Sequence, residues 1–220
     1  LSFLPLRFLL KNKENNLKIN NREILIFSIP VFFLTLAFTS LYNSDVILAR
    51  HFLSSQETGF YAALSTMGKI IFFLTGPVVS VMFPMISERH ASGDKYKNLL
   101  LSSLVLVALI CSFSTLFYFI FPNLIVKIFY GSQYLSAANY LVFFAILFSF
   151  YSLSSLLINF YFSIKKTKIV VLPVLAAFLQ IIFIYFFHQN ILNIILISLI
   201  INALLFLGLL LYLPQCRKRS

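Results

Sequence analysis

The sequence predicts an all-α fold, a polytopic transmembrane helical bundle with six spans. Hydrophobic residues make up 60% of the 220 residues and charged residues only 10%, and the mean hydropathy is +0.96. A hydrocarbon core of about 30 Å needs about 20 helical residues at about 1.5 Å per residue. Six apolar stretches approach or exceed that length. They cover residues 24–44, 60–83, 99–121, 141–164, 169–187 and 191–213.

The segments between the spans predict how the helices connect. Residues 43–53 contain no Gly or Pro, so the first span is expected to continue as a helix beyond residue 44. A short turn is predicted at 54–59, and the second span is predicted to end at Pro84. The longest connection is 123–134, with Gly131 as its turn residue. Tight turns at 165–168 and 188–190 make adjacent helices antiparallel, which predicts one compact bundle.

The distribution of basic residues predicts the orientation. Four segments, before span one and after spans two, four and six, hold 13 of the 17 Lys and Arg. The loops after spans one and three hold only Arg50 and Lys127, and the loop after span five holds none. Because basic loops stay in the cytoplasm, both ends of this region are expected to be cytoplasmic.

Three segments are expected along the chain. Residues 1–23 are interpreted as the end of a preceding helix and a cytoplasmic linker, because the apolar run 1–10 is too short to span a bilayer. Residues 24–213 form the six-span bundle, and residues 214–220 form a cytoplasmic basic tail. The chain is therefore expected to be the C-terminal part of a longer protein.

Composition also excludes several functional classes. A net charge of +11 would suggest nucleic acid in a soluble chain, but here the hydropathy assigns the charge to topology and to contact with anionic membrane lipids. Cys111 and Cys216 are expected to form no disulfide and no metal site. The three histidines, His51, His90 and His188, are expected in separate loops. No phosphate-binding Gly loop and no nucleophile arrangement is found, so we expect neither an enzyme nor a cofactor.

Charged residues inside the spans are the candidates for function. Lys69 lies close to the middle of span two, where an ionisable side chain is costly to expose to lipid. Asp45 and Arg50 lie in the extension of span one. One hypothesis is that Lys69 and Arg50, tuned by Asp45, line a path for an anionic substrate. The alternatives are a structural ion pair of Asp45 with Lys69, or a Lys69 side chain that reaches to the interface.

Other residues inside the spans suggest packing or movement. Pro30, Pro77 and Pro173 each remove a backbone hydrogen bond, and Gly76 with Pro77 is a candidate hinge or a static kink. Gln180 and Asn202 are expected to hydrogen-bond between helices. The 27 Phe and 11 Tyr are expected to face lipid or the interface.

Several short motifs, in order, resemble a known family. They are Asp45, then Gly59-Phe60-Tyr61-Ala62-Ala63, Gly76-Pro77, Phe83-Pro84-Met85-Ile86-Ser87, and Ile125-Val126-Lys127-Ile128-Phe129-Tyr130-Gly131-Ser132-Gln133-Tyr134 followed by Ala137-Ala138. Over residues 24–168 this order resembles the start of the C-terminal half of polysaccharide and O-antigen flippases of the Wzx type. These belong to the multidrug/oligosaccharidyl-lipid/polysaccharide exporter superfamily.

The resemblance implies a function and its partners. It implies one lobe of a two-lobed transporter that moves lipid-linked oligosaccharides for lipopolysaccharide and polysaccharide biosynthesis across the bacterial inner membrane by alternating access. An N-terminal transmembrane bundle would be its partner. Within this chain, their charge makes Lys69 and Arg50 the candidates to contact the pyrophosphate of the lipid. Two alternatives stay open. One is a multidrug or cation antiporter with Asp45 as the coupling carboxylate, and the other is a non-transporting membrane scaffold subunit.

Overall fold

The structure is a computed structural model that describes residues 21–217, with side chains described over 28–213. Over this range it contains α-helices and 3-10 helices and no strand. The α-helices are α1 Asn21–Phe52, α2 Ser55–Ser92, α3 Lys97–Ile120, α4 Pro122–Tyr130, α5 Leu141–Ser163, α6 Val171–Phe186 and α7 Ile191–Arg217. The 3-10 helices are Ser132–Tyr140 and Thr167–Val170.

Six segments are long and apolar enough to cross a membrane, which confirms the predicted all-α polytopic fold. They are Ser28–Phe52, Ser55–Ser92, Lys97–Ile120, Ser132–Ser163, Thr167–Phe186 and Ile191–Leu213. The expected preceding helix and linker at 1–20, and the basic tail at 218–220, lie outside the described residues.

Helix α5 is the centre of the bundle. In the apolar 18-residue stretch of this span 67% of the residues are buried, compared with 22% to 39% in the corresponding stretches of the other spans. It packs against α2, α3 and α7, while α1 packs chiefly against α6 although α2 follows it in the chain. Gly68 of α2 packs directly against α5, where an added Cβ would meet the Phe148 ring at 2.5 Å. A small residue at this crossing lets the two backbones approach closely.

The turn between α1 and α2 is shorter than predicted. Helix α1 does continue past residue 44, as expected, but α2 already begins at Ser55. The side chain of Ser54 accepts a hydrogen bond from the backbone N–H of Glu57, and the Glu57 carboxylate accepts one from the backbone N–H of Ser54. This capping box satisfies N–H groups at the helix start, so the polar run that suggested a turn is the first turn of α2.

Two proline predictions are wrong. Helix α2 passes through Pro84 and ends at Gly93, whose φ of 78° forms the left-handed cap. A single proline removes one hydrogen bond, and a membrane helix tolerates that loss when its surroundings satisfy the freed carbonyl. Pro173 lies in the first turn of α6, which begins at Val171. The first N–H groups of a helix have no partner within it, so the predicted loss of an interior hydrogen bond at Pro173 is wrong.

The histidines and the long connection also differ from expectation. His51 and His90 lie in the last turns of α1 and α2 rather than in loops, whereas His188 lies in the predicted loop. Gly131 has φ 84° and is the predicted turn residue. The connection around it is folded, because the short helix α4 precedes Gly131 and a 3-10 helix follows it.

Candidate functional site

Lys69 of α2 is held by two side chains of α1. Its Nζ donates a hydrogen bond of 3.2 Å to Oδ1 of Asn43 and lies 4.1 Å from the centroid of the Tyr42 ring. The ammonium group of this half-buried lysine therefore interacts with an amide and with an aromatic face, both uncharged. Within residues 28–213 no carboxylate lies within ion-pair distance of the ammonium group, although the charge of Asp45 interacts with it electrostatically.

Asp45 of α1 has a different set of partners. Its carboxylate accepts a hydrogen bond of 2.8 Å from the hydroxyl of Tyr61 and one of 2.8 Å from the backbone N–H of Val46. The side chain is only 1% exposed. Among the described residues, Asp45 forms no direct ion pair with Lys69, but the two charges interact electrostatically across the contact of α1 with α2. The alternative of a structural ion pair therefore stays open. The short Asp45 side chain is occupied by Tyr61, which lies two turns before Lys69 on α2.

A polar contact also joins α1 to α6. Nε2 of Gln180 lies 3.4 Å from the backbone oxygen of Leu41 and 3.3 Å from Oγ of Ser44, and donates to both. This confirms the predicted interhelical role of Gln180. For Asn202 the prediction is wrong, since its amide donates to the Ser198 carbonyl of the same helix. Backbone carbonyls one turn earlier are always within reach of such a side chain.

A groove opens beside Lys69 between α1, α2 and α5. Its cavity has a volume of about 520 Å³ and is lined by aromatic, hydroxyl, amide and aliphatic side chains. The lining residues are Leu34, Thr35, Phe38, Thr39, Tyr42, Asn43, Phe72, Phe73, Tyr151, Ser155, Ile158 and Asn159. A second cavity of about 630 Å³ shares Thr39 and Asn43 with it. Lys69 lines that second cavity and is the one charged residue in either lining.

Aromatic rings form the inner wall of the groove. Tyr42 lies at the centre, with its ring centroid 5.9 Å from Phe72, 5.8 Å from Phe148 and 5.7 Å from Tyr151. The hydroxyl of Tyr151 donates to the Phe38 carbonyl at 3.1 Å. Outward-facing rings elsewhere, such as Phe113 at 73% exposure, fit the expectation that aromatics face lipid, but that expectation is wrong for this inner cluster. Phe38 and Tyr42 are four residues apart and therefore share a helix face, so the sequence itself indicates that these two rings lie together.

The other predicted site residues lie apart from Lys69. Arg50 is exposed near the end of α1 and donates to Oγ of Ser55 at 3.3 Å, outside both linings. Gly76 and Pro77 lie within the unbroken helix α2, and no atom lies within 4 Å of the position that a Cβ on Gly76 would take. Their role as a hinge stays a prediction.

The arrangement is suited to binding rather than to bond chemistry. A cation with uncharged partners attracts an anionic group, and aromatic faces next to hydroxyl and amide groups can contact the apolar and polar parts of a ligand. In the described part of the chain no His, Cys, Asp and Glu side chains group together as a metal site would need.

Comparison with known proteins identifies the family. A family model described as polysaccharide biosynthesis protein matches residues 11–139, more than half of the chain, including Tyr42, Asp45 and Lys69. Comparisons with curated proteins and with solved structures gave no match. The matched segment contains three of the apolar spans and the residues that hold Lys69. The chain belongs to the polysaccharide biosynthesis protein family.

Proposed function

We propose that this chain is the C-terminal lobe of a lipid-linked oligosaccharide flippase that works by alternating access in the bacterial inner membrane. Family membership supports a role in polysaccharide biosynthesis, and six apolar spans suit an integral membrane step of that process. An even number of spans returns the chain to its starting side, as a parallel repeat of two bundles requires. The distribution of basic residues supports cytoplasmic ends for this region, and a second bundle would complete the transporter.

The observation that carries the proposal is the environment of Lys69. Its hydrogen-bond acceptor is the neutral amide of Asn43, and the other partner of the ammonium is the Tyr42 ring. Of the described side chains, no carboxylate contacts the ammonium group, and Asp45 acts on it only without direct contact. A phosphate or pyrophosphate group that enters the cavity would gain a charge-assisted hydrogen bond in a place partly removed from water.

The neighbouring groove provides surfaces for sugars. A sugar ring presents C–H groups on its faces and hydroxyl groups around its edge. Tyr42 and Tyr151 offer aromatic faces, and Ser155 and Asn159 on α5 offer donors and acceptors. An oligosaccharide in the groove and its lipid pyrophosphate at Lys69 would then lie side by side, as one lipid-linked molecule requires.

The competing functions fit the same cavities less well. A cation antiporter with Asp45 as its coupling carboxylate needs that carboxylate in reach of the substrate, but Asp45 is 1% exposed and lines neither cavity. A scaffold subunit needs no open groove along α1, α2 and α5. A basic cavity beside an uncharged groove favours transport of an anionic lipid over both, and it favours transport over catalysis.

Substitution of Lys69 in the full-length protein tests the proposal. Lys69→Ala is expected to abolish export of the surface polysaccharide at normal membrane levels of the protein, while Lys69→Arg keeps part of it because the charge survives. Lys127→Ala is the matched control, since Lys127 is exposed on α4 and lines neither cavity. Normal export by Lys69→Ala would overturn the proposal.

A further inference from the structure

A third cavity lies at the end of the bundle where α2 ends and α3 begins. Its volume is about 760 Å³, larger than that of the groove, and it shares no residue with either cavity near Lys69. The α2–α3 turn and the start of α3 form one side. Phe160, near the end of α5, and Leu213 of α7 form the other side. The cavity therefore lies at one membrane surface, separate from the proposed substrate path.

The mouth of this cavity is basic and its geometry is fixed. Exposed Lys95 and Lys97 line it together with one acidic residue, Asp94. Nη1 of Arg89 donates to the Lys95 carbonyl at 3.3 Å, and the backbone N–H of Asp94 donates to the Arg89 carbonyl at 2.8 Å. These bonds tie the turn to the end of α2. The two lysines are thus held at the opening by an ordered turn.

The start of α3 adds partial positive charge to the same place. Tyr96, the N-cap residue, makes no side-chain capping bond, and the first turn of α3 contains no acidic residue. Uncapped N–H groups at a helix start favour a negatively charged group. Lys97 is the first residue of α3, so its charge and the helix start face an incoming anion together.

The wall behind the mouth is apolar. Leu100, Leu101 and Leu104 lie along one side of α3, and Phe160 and Leu213 complete the wall. Leu101 is 57% exposed. Exposure of this apolar wall to water is unfavourable, whereas a hydrocarbon chain that lies along α3 would cover it.

We propose that this cavity binds an anionic phospholipid from the adjacent leaflet. The phosphate would lie between Lys95, Lys97 and the start of α3, and one acyl chain would follow Leu101, Leu104 and Leu213. A free phosphate would leave the apolar wall uncovered, and the positive group of a zwitterionic head would meet the lysines. Basic pockets between transmembrane helices at a membrane surface are suited to anionic lipid heads.

Native mass spectrometry of the purified full-length protein in mixed phosphatidylglycerol and phosphatidylcholine tests this site. Wild-type protein is expected to retain phosphatidylglycerol preferentially. Lys95→Gln with Lys97→Gln should lower that preference about fivefold for each lysine, the effect of about 1 kcal/mol that one basic residue near an anionic lipid surface contributes. The matched control is Lys165→Gln with Lys168→Gln, which removes two exposed lysines from the α5–α6 turn, outside the cavity lining.

A second variant separates the cavity from general surface charge. Leu104→Trp fills the apolar wall without changing any charge, and it should lower lipid retention as well. Equal loss of preference in the Lys165 and Lys168 control, or equal retention of the two lipids by wild-type protein, would overturn the proposal. Displacement of the bound lipid by inorganic phosphate alone would also overturn it, because the site would then recognise phosphate without a chain.

Discussion

The hydroxyl of Tyr61 donates a hydrogen bond of 2.8 Å to the carboxylate of Asp45, and this bond joins α2 to α1 inside the bundle. The two side chains are 0% and 1% exposed. A buried carboxylate is costly unless its oxygens are hydrogen-bonded. Tyr61 therefore fixes the Asp45 side chain, one of the two partners of the ion pair that the sequence offered as an alternative, while Lys69 contacts Tyr42 and Asn43.

Tyr61→Phe is expected to destabilise the protein by about 1–3 kcal/mol, because it leaves a buried carboxylate oxygen without this donor. The matched control is Tyr118→Phe, which removes a buried hydroxyl that donates to a neutral acceptor, the Met67 carbonyl, at 3.0 Å. Thermal unfolding of the purified proteins in the same detergent measures both changes. The larger loss is expected for Tyr61→Phe, and equal losses would contradict the greater cost of leaving a buried carboxylate without its hydrogen-bond donor.

Combining Asp45→Asn with Lys69→Met is expected to leave polysaccharide export as low as Lys69→Met alone. The reason is that the two side chains have separate hydrogen-bond partners, Tyr61 and Asn43, and that their charges interact without direct contact. Export and membrane levels of the single and double variants provide the test. Recovery of export in the double variant would show that the two charges matter only as a pair, and the substrate role of Lys69 would then be wrong.

Gly68→Ala is expected to lower the unfolding temperature, because the new Cβ would lie 2.5 Å from the Phe148 ring and 3.0 Å from the Phe144 carbonyl. Overpacking of this kind costs about 1–3 kcal/mol. Gly76→Ala is the matched control in the same helix, since no atom lies within 4 Å of its Cβ position. It should keep or raise stability, and a loss as large as that of Gly68→Ala would contradict the close approach of α2 and α5.

Gly76→Ala also tests the hinge. If α2 bends at Gly76 and Pro77 during transport, a stiffer residue at position 76 should lower export while stability is unchanged or higher. Export per folded protein is the measurement. Export equal to wild type would leave Gly76 and Pro77 as a static part of the helix.

Cysteine labelling in intact cells is expected to confirm the orientation proposed from the basic segments. In a background without Cys111 and Cys216, a cysteine at Ser92 or Lys168 should resist a membrane-impermeant thiol reagent. A cysteine at Ser132 or Gln189 should react, since these residues are exposed in the loops at the other end. Reaction at Lys168 from outside the cell would reverse the orientation.

The six spans could be predicted because hydropathy over about 20 residues depends little on tertiary structure. The helix ends could be predicted less well. The pattern Ser54-Ser55-Gln56-Glu57 is a readable capping box, and it was interpreted as a turn. The helix-breaking preference of Pro84 predicted the wrong end for α2. Inside a membrane helix this proline removes only one backbone hydrogen bond, so the helix continues.

The candidate site could be predicted only in part. The cost of a charge in the membrane identified Lys69 and Asp45. Their partners depend on how α1 and α2 are aligned along each other, and a single sequence does not contain that alignment. Tyr151 illustrates the limit, because it reaches the Tyr42 ring from a helix more than 100 residues later in the chain.

Helix α4 gives the bundle two unlike membrane surfaces. Its Ile128 and Phe129 are 69% and 64% exposed while Ile125 and Val126 pack inward. Its exposed side is therefore largely apolar, with Lys127 as its basic residue, and is suited to insertion at the interface. It follows the far end of α3, about 36 Å from the lysines of the α2–α3 turn. Lipid contacts at the α4 end rest mainly on apolar insertion, whereas those proposed at the α2–α3 turn rest partly on charge, which salt screens. High ionic strength should therefore weaken lipid binding more at the turn than at α4.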